Sequence, residues 1–223
     1  MKKILVLLTN VPSLANGEKN GTYSPELTHA VHVFDDAGYT YDFASIKGGE
    51  APIYGENDNP DDQVNADVLA RDDFRTRLNN TLPTSQVNFE DYDAVFYPGG
   101  FGLLYDLAED ETVGAKTGRF LEKGGVVGAV CHGPAGFLPV KYSDGRSMLE
   151  GLTVTGFTRE EEIDYGTIDK IPFLLEEALT RKATRFEKVQ PWIENVIVQD
   201  NIISGQNPGS AGGVGKAMVK ALS

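Results

Sequence analysis

One cysteine and three histidines are all that 223 residues supply of the side chains from which nucleophilic and soft-metal sites are usually built. The lone thiol, Cys131, excludes an internal disulfide framework and fits a reducing compartment. With so few soft ligands, and a single Glu-x-x-His spacing from Glu26 to His29, no resident metal is expected. Basic residues are also scarce: 20 Lys and Arg stand against 33 Asp and Glu, for a net charge of −13. Such a chain repels nucleic acid and anionic membranes. Long apolar runs are missing too. None approaches the ~18 residues of a membrane span, and the run at 4–8 behind Lys2 and Lys3 falls short of the roughly 7–15 residues of a secretory signal. There is no internal repeat and no low-complexity tail. The expectation is a cytoplasmic protein with no nucleic-acid or membrane partner.

What the chain does have is an alternation of strand-like and helix-like segments. Residues 4–8 read as a central parallel strand, apolar throughout because both faces are covered. Ser24, Pro25 and Glu26 open a helix, with Ser24 as N-cap and Pro25 as first residue. Leu27, Ala30, Val31, Phe34 and Ala37 follow on one face, and Gly38 ends it. With a second strand at 39–44, the opening is a right-handed β-α-β crossover. The Gly-, Pro-, Asp- and Asn-rich stretch 46–65 is too long for a turn and begins an insertion over about 46–88, helical near 67–78. Strand 94–97 stops at Pro98-Gly99-Gly100-Phe101-Gly102, where glycines let backbone N–H groups approach whatever lies above. A helix at 110–123, a strand at 152–157, a helix at 173–182, a hairpin at 196–198 and 202–204, and a C-terminal helix complete one domain, 1–223. The pattern predicts an α/β fold, a doubly wound and mostly parallel sheet sandwiched by helices, with ligands at the C-terminal strand ends.

The stretch 124–134, Gly-Gly-Val-Val-Gly-Ala-Val-Cys-His-Gly-Pro, concentrates the chemistry. An apolar strand runs into a turn whose Ala129-x-Cys131-x-Gly133 has the form of a nucleophile elbow with Cys in place of Ser. Pro134 fits the first position of a following helix, whose N-terminus would stabilise a thiolate. No histidine follows His132, so the papain-like arrangement and the usual triad of a class I glutamine amidotransferase cannot operate. His132 itself stays ambiguous: neighbours in sequence usually diverge and its backbone N–H counts as much as its ring, although at an elbow the two side chains can converge. The acidic candidates are Glu26, which also reads as a plain helix N-terminal charge, and the run Glu160, Glu161, Glu162, which also reads as a solvated helix start. The N–H groups of Gly100 and His132 would form an oxyanion hole.

Val130-Cys131-His132-Gly133-Pro134, Tyr97-Pro98-Gly99-Gly100, Thr155-Gly156-Phe157-Thr158 with its glutamates, and Ser204-Gly205-Gln206-Asn207-Pro208 together resemble the ThiJ/PfpI superfamily, in particular its heat-shock-chaperone and glyoxalase III branch. The resemblance spans nearly the whole chain. It implies a flavodoxin-like sandwich, usually a homodimer, with a Cys-His-Glu triad and no cofactor. On that resemblance Cys131 is the nucleophile, His132 the general base or acid, Glu162 the residue that orients His132, and Glu26 the carboxyl group bonded to the sulfur. Glu160 and Glu161 compete with Glu162 for its role. Phe101 stands where this branch commonly has His, and Ala30 where Pro often follows Glu-x-x-His. The implied activity is that of a cofactor-independent glyoxalase III, also called D-lactate dehydratase, converting methylglyoxal, a small aldehyde, to lactate through a hemithioacetal on Cys131. Alternatives are a stress chaperone or redox sensor, or a small peptidase, amidase or deglycase.

Overall fold

A computed structural model describes the whole chain, residues 1–223. The first third comprises β1 (Lys3–Leu8), β2 (Thr22–Tyr23), α1 (Ser24–Asp36), β3 (Thr40–Ser45), β4 (Ile53–Tyr54), α2 (Gln63–Leu69) and α3 (Asp72–Asn79). Then come β5 (Leu82–Pro83), β6 (Ala94–Tyr97), α4 (Glu111–Glu122) and β7 (Val126–Val130). The remainder holds β8 (Thr153–Val154), α5 (Arg159–Tyr165), α6 (Leu175–Lys182), β9 (Arg185–Phe186), β10 (Val196–Gln199), β11 (Ile202–Gly205) and α7 (Ala211–Ala221).

Seven strands form the main sheet in the order β10-β11-β7-β6-β1-β3-β5, and only β10 runs antiparallel. This is the doubly wound α/β sandwich that the alternation predicts. Period-two alternation sends Leu5 and Leu7 of β1 into one core, and Ile4, Val6 and Leu8 into the other. The second core is closed by Leu27, Val31 and Phe34 of α1 and by Val214 and Met218 of α7; the first by Val113 and Phe120 of α4 and by Leu175 and Leu179 of α6. With both faces covered, the strands are apolar from end to end. The strand order reverses between β1 and β6, and the loops leaving β6 and β7 build the site.

Four local expectations are corrected. Ser24 is not an N-cap: β2 runs straight into α1, Ser24 lies in the first helical turn, and Tyr23 precedes it without a side-chain cap. The helical region near 67–78 is two helices, split where an extended Arg71 reaches out to Asp35, Asp73 and the Tyr41 hydroxyl. The strand expected at 152–157 shrinks to β8, which pairs with β9 outside the main sheet. Its continuation is used otherwise: the Thr155 N–H donates to Ser204 Oγ, and the Phe157 N–H to the Cys131 carbonyl. Finally, no α-helix follows the elbow. Gly133–Phe137 form a single 3-10 turn, since a segment with two glycines and a proline has little helix propensity.

Candidate active site

Cys131 sits just past β7 with φ at +60°, one of only three non-glycine residues with positive φ. That conformation is strained by roughly 1–3 kcal/mol and needs surrounding structure to hold it. Two backbone bonds of 2.9 Å do so: the Cys131 N–H donates to the Gly205 carbonyl, and the Phe157 N–H donates to the Cys131 carbonyl. The small residues of the elbow have a concrete cause. A Cβ on Gly133 would lie 2.1 Å from the Tyr97 carbonyl oxygen and 3.3 Å from Ala129 Cβ.

The tight turn also makes neighbouring side chains converge. Cys131 Sγ lies 3.3 Å from His132 Nδ1, and His132 Nε2 lies 2.7 Å from Glu162 Oε1. A carboxylate partner fixes the Nε2–H tautomer, which leaves Nδ1 free to accept the thiol proton. The other Glu162 oxygen accepts the Thr167 hydroxyl. The His132 ring is held between Phe101 and Phe157, each with its centroid 4.6 Å away. Thr167 carries no motif and was invisible in the sequence.

The three glutamates of the acidic run separate cleanly. Glu160 is at the surface, paired with Lys188 at 2.7 Å. Glu161 is fully buried and structural: one oxygen accepts the Trp192 N–H and the side-chain amides of Gln206 and Asn207, the other the N–H and hydroxyl of Thr158. The Thr158–Glu161 pair is a capping box that starts α5, and this start turns the next residue, Glu162, toward His132.

Glu26 comes from the first turn of α1 and is fully buried, with its carboxyl group against Gly99 and the Cys131 side chain. A Cβ on Gly99 would lie 2.1 Å from Glu26 Oε2 and 2.8 Å from Cys131 Cβ. Burial pushes the Glu26 pKa up to about 8, against the pull of the Cys131 thiol and the Gly99 N–H. At neutral pH it is chiefly a carboxylic acid and can donate a hydrogen bond to sulfur. Burial, followed by the Glu26, Glu161 and Glu162 charges, pushes the Cys131 thiol well above its ordinary value. The helix N-terminus expected to stabilise a thiolate is absent, since only a 3-10 turn follows the elbow. The arrangement offers this sulfur an adjacent base 3.3 Å away rather than a lowered resting pKa.

Gly100 has φ of +120°, and a Cβ there would lie 2.3 Å from the Gly21 carbonyl oxygen, so only glycine fits. Its N–H and that of His132 make no hydrogen bond within the chain. His29 is not part of the site: it turns to Asp62 at 2.9 Å while Glu26 turns to the sulfur, so the Glu-x-x-His spacing is split.

Cys131 is 4% exposed. It lines a pocket with Tyr23, Glu26, Tyr54, Phe101, His132, Phe157, Tyr165, Trp192 and Pro208, whose volume of about 40 Å³ is room for roughly three water molecules. At the rim, the Tyr23 and Tyr165 hydroxyls donate to Asp58 at 3.2 and 3.5 Å. Wider clefts of about 430 and 620 Å³ lie elsewhere, and neither contains a cysteine or a histidine.

Residues 18–221 match the model of the DJ-1/PfpI family. The chain belongs to the DJ-1/PfpI family. Within that family it is 31% identical over 236 residues to the glutathione-independent glyoxalase HSP31 of Saccharomyces cerevisiae, covering 99% of this chain and 98% of the yeast protein. The solved structure of the rapid encystment protein of Francisella tularensis superposes with a TM-score of 0.94 at 33% identity, over 100% of both chains. That of glyoxalase III from Candida albicans superposes with a TM-score of 0.88 at 26% identity, over 100% of this chain and 98% of the other.

Proposed function

We propose that the protein is a glutathione-independent glyoxalase that converts a small 2-oxoaldehyde, methylglyoxal in the simplest case, to the 2-hydroxy acid at Cys131. The observation that carries this reading is the line from Cys131 Sγ through His132 to Glu162, with the protonated carboxyl of Glu26 on the other side of the sulfur. Two proton carriers flank one nucleophile, which is what an internal redox exchange between neighbouring carbons requires. The names of the yeast and Candida relatives point the same way.

His132 takes the thiol proton as sulfur adds to the aldehyde carbon C1, and Glu26 gives its proton to the new oxygen, forming the hemithioacetal. The Glu26 carboxylate then removes the C1 proton while His132 protonates the C2 oxygen, giving the enediol. Glu26 returns its proton to C2 and His132 takes the proton on the C1 oxygen, leaving a thioester. Water attacks the acyl carbon and gives a proton to Glu26, and His132 returns one to the departing sulfur. C1 is oxidised and C2 reduced by the same electron pair, so no external oxidant or reductant enters. The N–H groups of Gly100 and His132 are placed by this reading on the C1 oxygen.

The test is consumption of methylglyoxal without glutathione. We expect lactate from the wild-type protein and background rates from Cys131→Ala; a Cys131→Ala protein as fast as wild type defeats the proposal. One observation favours a second reading, a stress holdase. Ile163, Tyr165, Val189, Trp192 and Ile193, all on α5 or the segment 187–195, are large apolar side chains at the surface. That reading calls for suppression of client aggregation that persists in Cys131→Ala.

A further inference from the structure

Six buried side-chain atoms find no hydrogen-bond partner anywhere in the chain, and all belong to four residues of one seven-residue stretch. They are Asn20 Nδ2 and Oδ1, Thr22 Oγ1, Ser24 Oγ and both carboxyl oxygens of Glu26, which meet the Cys131 thiol and the Gly99 N–H only outside good hydrogen-bond geometry. All four residues are fully buried. Elsewhere the buried polar side chains are matched within the protein, as the Glu161 cluster illustrates. Each unpaired group would cost about 1–3 kcal/mol in a dry interior, so together they would consume most of the stability of an ordinary domain. Native interiors satisfy such groups with ordered water.

The stretch has two distinct ends. Glu26 lies against Cys131, whereas Asn20 adjoins Lys19, which lines the open cleft of about 620 Å³ together with Ile53 and Glu56. Between them, β2 and β4 form a wall. Thr22 pairs in register with Ile53, and Tyr23 with Tyr54. Because side chains alternate along a strand, Tyr23 and Tyr54 face the substrate pocket while Ile53, and Thr22 beside it, face the cleft side. The unpaired groups thus follow one another along the chain from the residue beside Lys19 to Glu26, with Thr22 on the opposite side of the β2–β4 wall from Tyr23. The pocket of about 40 Å³ is small enough that a bound substrate would compete with water for the space beside Glu26.

We infer that Asn20, Thr22 and Ser24 hold a file of ordered water that carries protons between Glu26 and the surface cleft beside Lys19, so that Glu26 exchanges its proton with solvent while substrate occupies the pocket. The inference rests on the proton-carrying role of Glu26 proposed above. When the Glu26 carboxyl has taken the C1 proton, it can pass that proton to the adjoining water and receive another from solvent; one proton leaves for each that enters and no electron moves. Thr22 and Ser24 are positioning residues in this scheme.

Turnover of methylglyoxal in D₂O reads the exchange directly. The wild-type protein is expected to yield lactate mostly deuterated at C2. The Thr22→Val/Ser24→Ala protein is expected to lower the deuterated fraction severalfold, and Thr22→Ser to retain it. An unchanged fraction in the double variant, or wild-type lactate without deuterium, overturns the water file but not the glyoxalase reading. A measurement independent of turnover is the infrared carbonyl band of the protonated Glu26, assigned by its loss in Glu26→Gln. After transfer of resting protein to D₂O, its isotope shift should lag in the double variant; equal exchange rates would overturn the inference even if no lactate were formed.

Discussion

Cys131 is pinned by backbone bonds to Gly205 and Phe157, so its sulfur is presented at a fixed place between His132 and Glu26. Their protonation states decide when the site can work. With a pKa of about 8, Glu26 holds a proton at neutral pH and, in the proposed mechanism, loses its capacity to donate one as it ionises. The rate of aldehyde consumption should therefore fall as pH rises through about 8. Glu26→Gln should lower kcat by about 10²-fold or more and remove that alkaline limb. A pH–rate profile of the variant that keeps the limb would assign it to another group. The elbow, a local pattern, marked Cys131, whereas His132 and Glu26 received their roles from the family resemblance. The sequence could not say that Glu26 is buried and protonated, since that depends on Gly99 and β7, both distant in the chain. Among Glu160, Glu161 and Glu162 only the family resemblance favoured Glu162, the one found 2.7 Å from His132; local pattern does not choose, because three consecutive helical residues point about 100° apart and which one meets His132 depends on how α5 is anchored.

That anchoring is an element-scale device. Thr158 and Glu161 cap α5, and Glu161 also ties the helix start to Trp192, Gln206 and Asn207. The two adjacent glutamates should consequently fail in different ways. Glu161→Ala strands several buried donors at about 1–3 kcal/mol each, and we expect a large drop in Tm with faster amide exchange over 187–195. Glu162→Gln keeps the helix but weakens the orientation of His132, and we expect kcat to fall by about 10²-fold or more with Tm close to wild type. Equal losses of Tm in the two variants would contradict the division of roles. At this scale the sequence was a good guide wherever apolar periodicity ran long, as in β1, α1, α4 and β7, and a poor one where pairing was non-local. The 152–157 segment looks like a strand because it is apolar, yet its N–H groups serve the Ser204 side chain and the elbow. The absent helix after Pro134 removed the dipole argument for the thiolate, and the energetics passed to His132 and Glu26 instead.

Across the whole molecule, a buried acid beside a buried thiol has a cost in stability. Glu26 binds its proton more tightly in the folded state, about 8 against an ordinary 4.5. Its contribution is fully present below about pH 4.5 and drains away as pH rises toward about 8. At pH 7 the penalty is on the order of 3 kcal/mol, from about 1.4 kcal/mol per pH unit. Glu26→Gln should flatten the fall of Tm between pH 4.5 and 8 and raise Tm at neutral pH, as thermal melts across that range would record. A variant whose Tm follows the wild-type pH curve would contradict the burial of a protonated carboxyl. By itself the amino-acid sequence determined the alternation of apolar strands and amphipathic helices, hence the layered sheet, and it marked Cys131 as the candidate nucleophile, because both follow from patterns within a dozen or so neighbouring residues. Only the tertiary structure decided which glutamate lies against His132, how deeply the sulfur and Glu26 are buried, and which polar groups near Glu26 are left without partners. Those outcomes are set by burial and by distances between residues far apart in the chain, and neither quantity is written in local order.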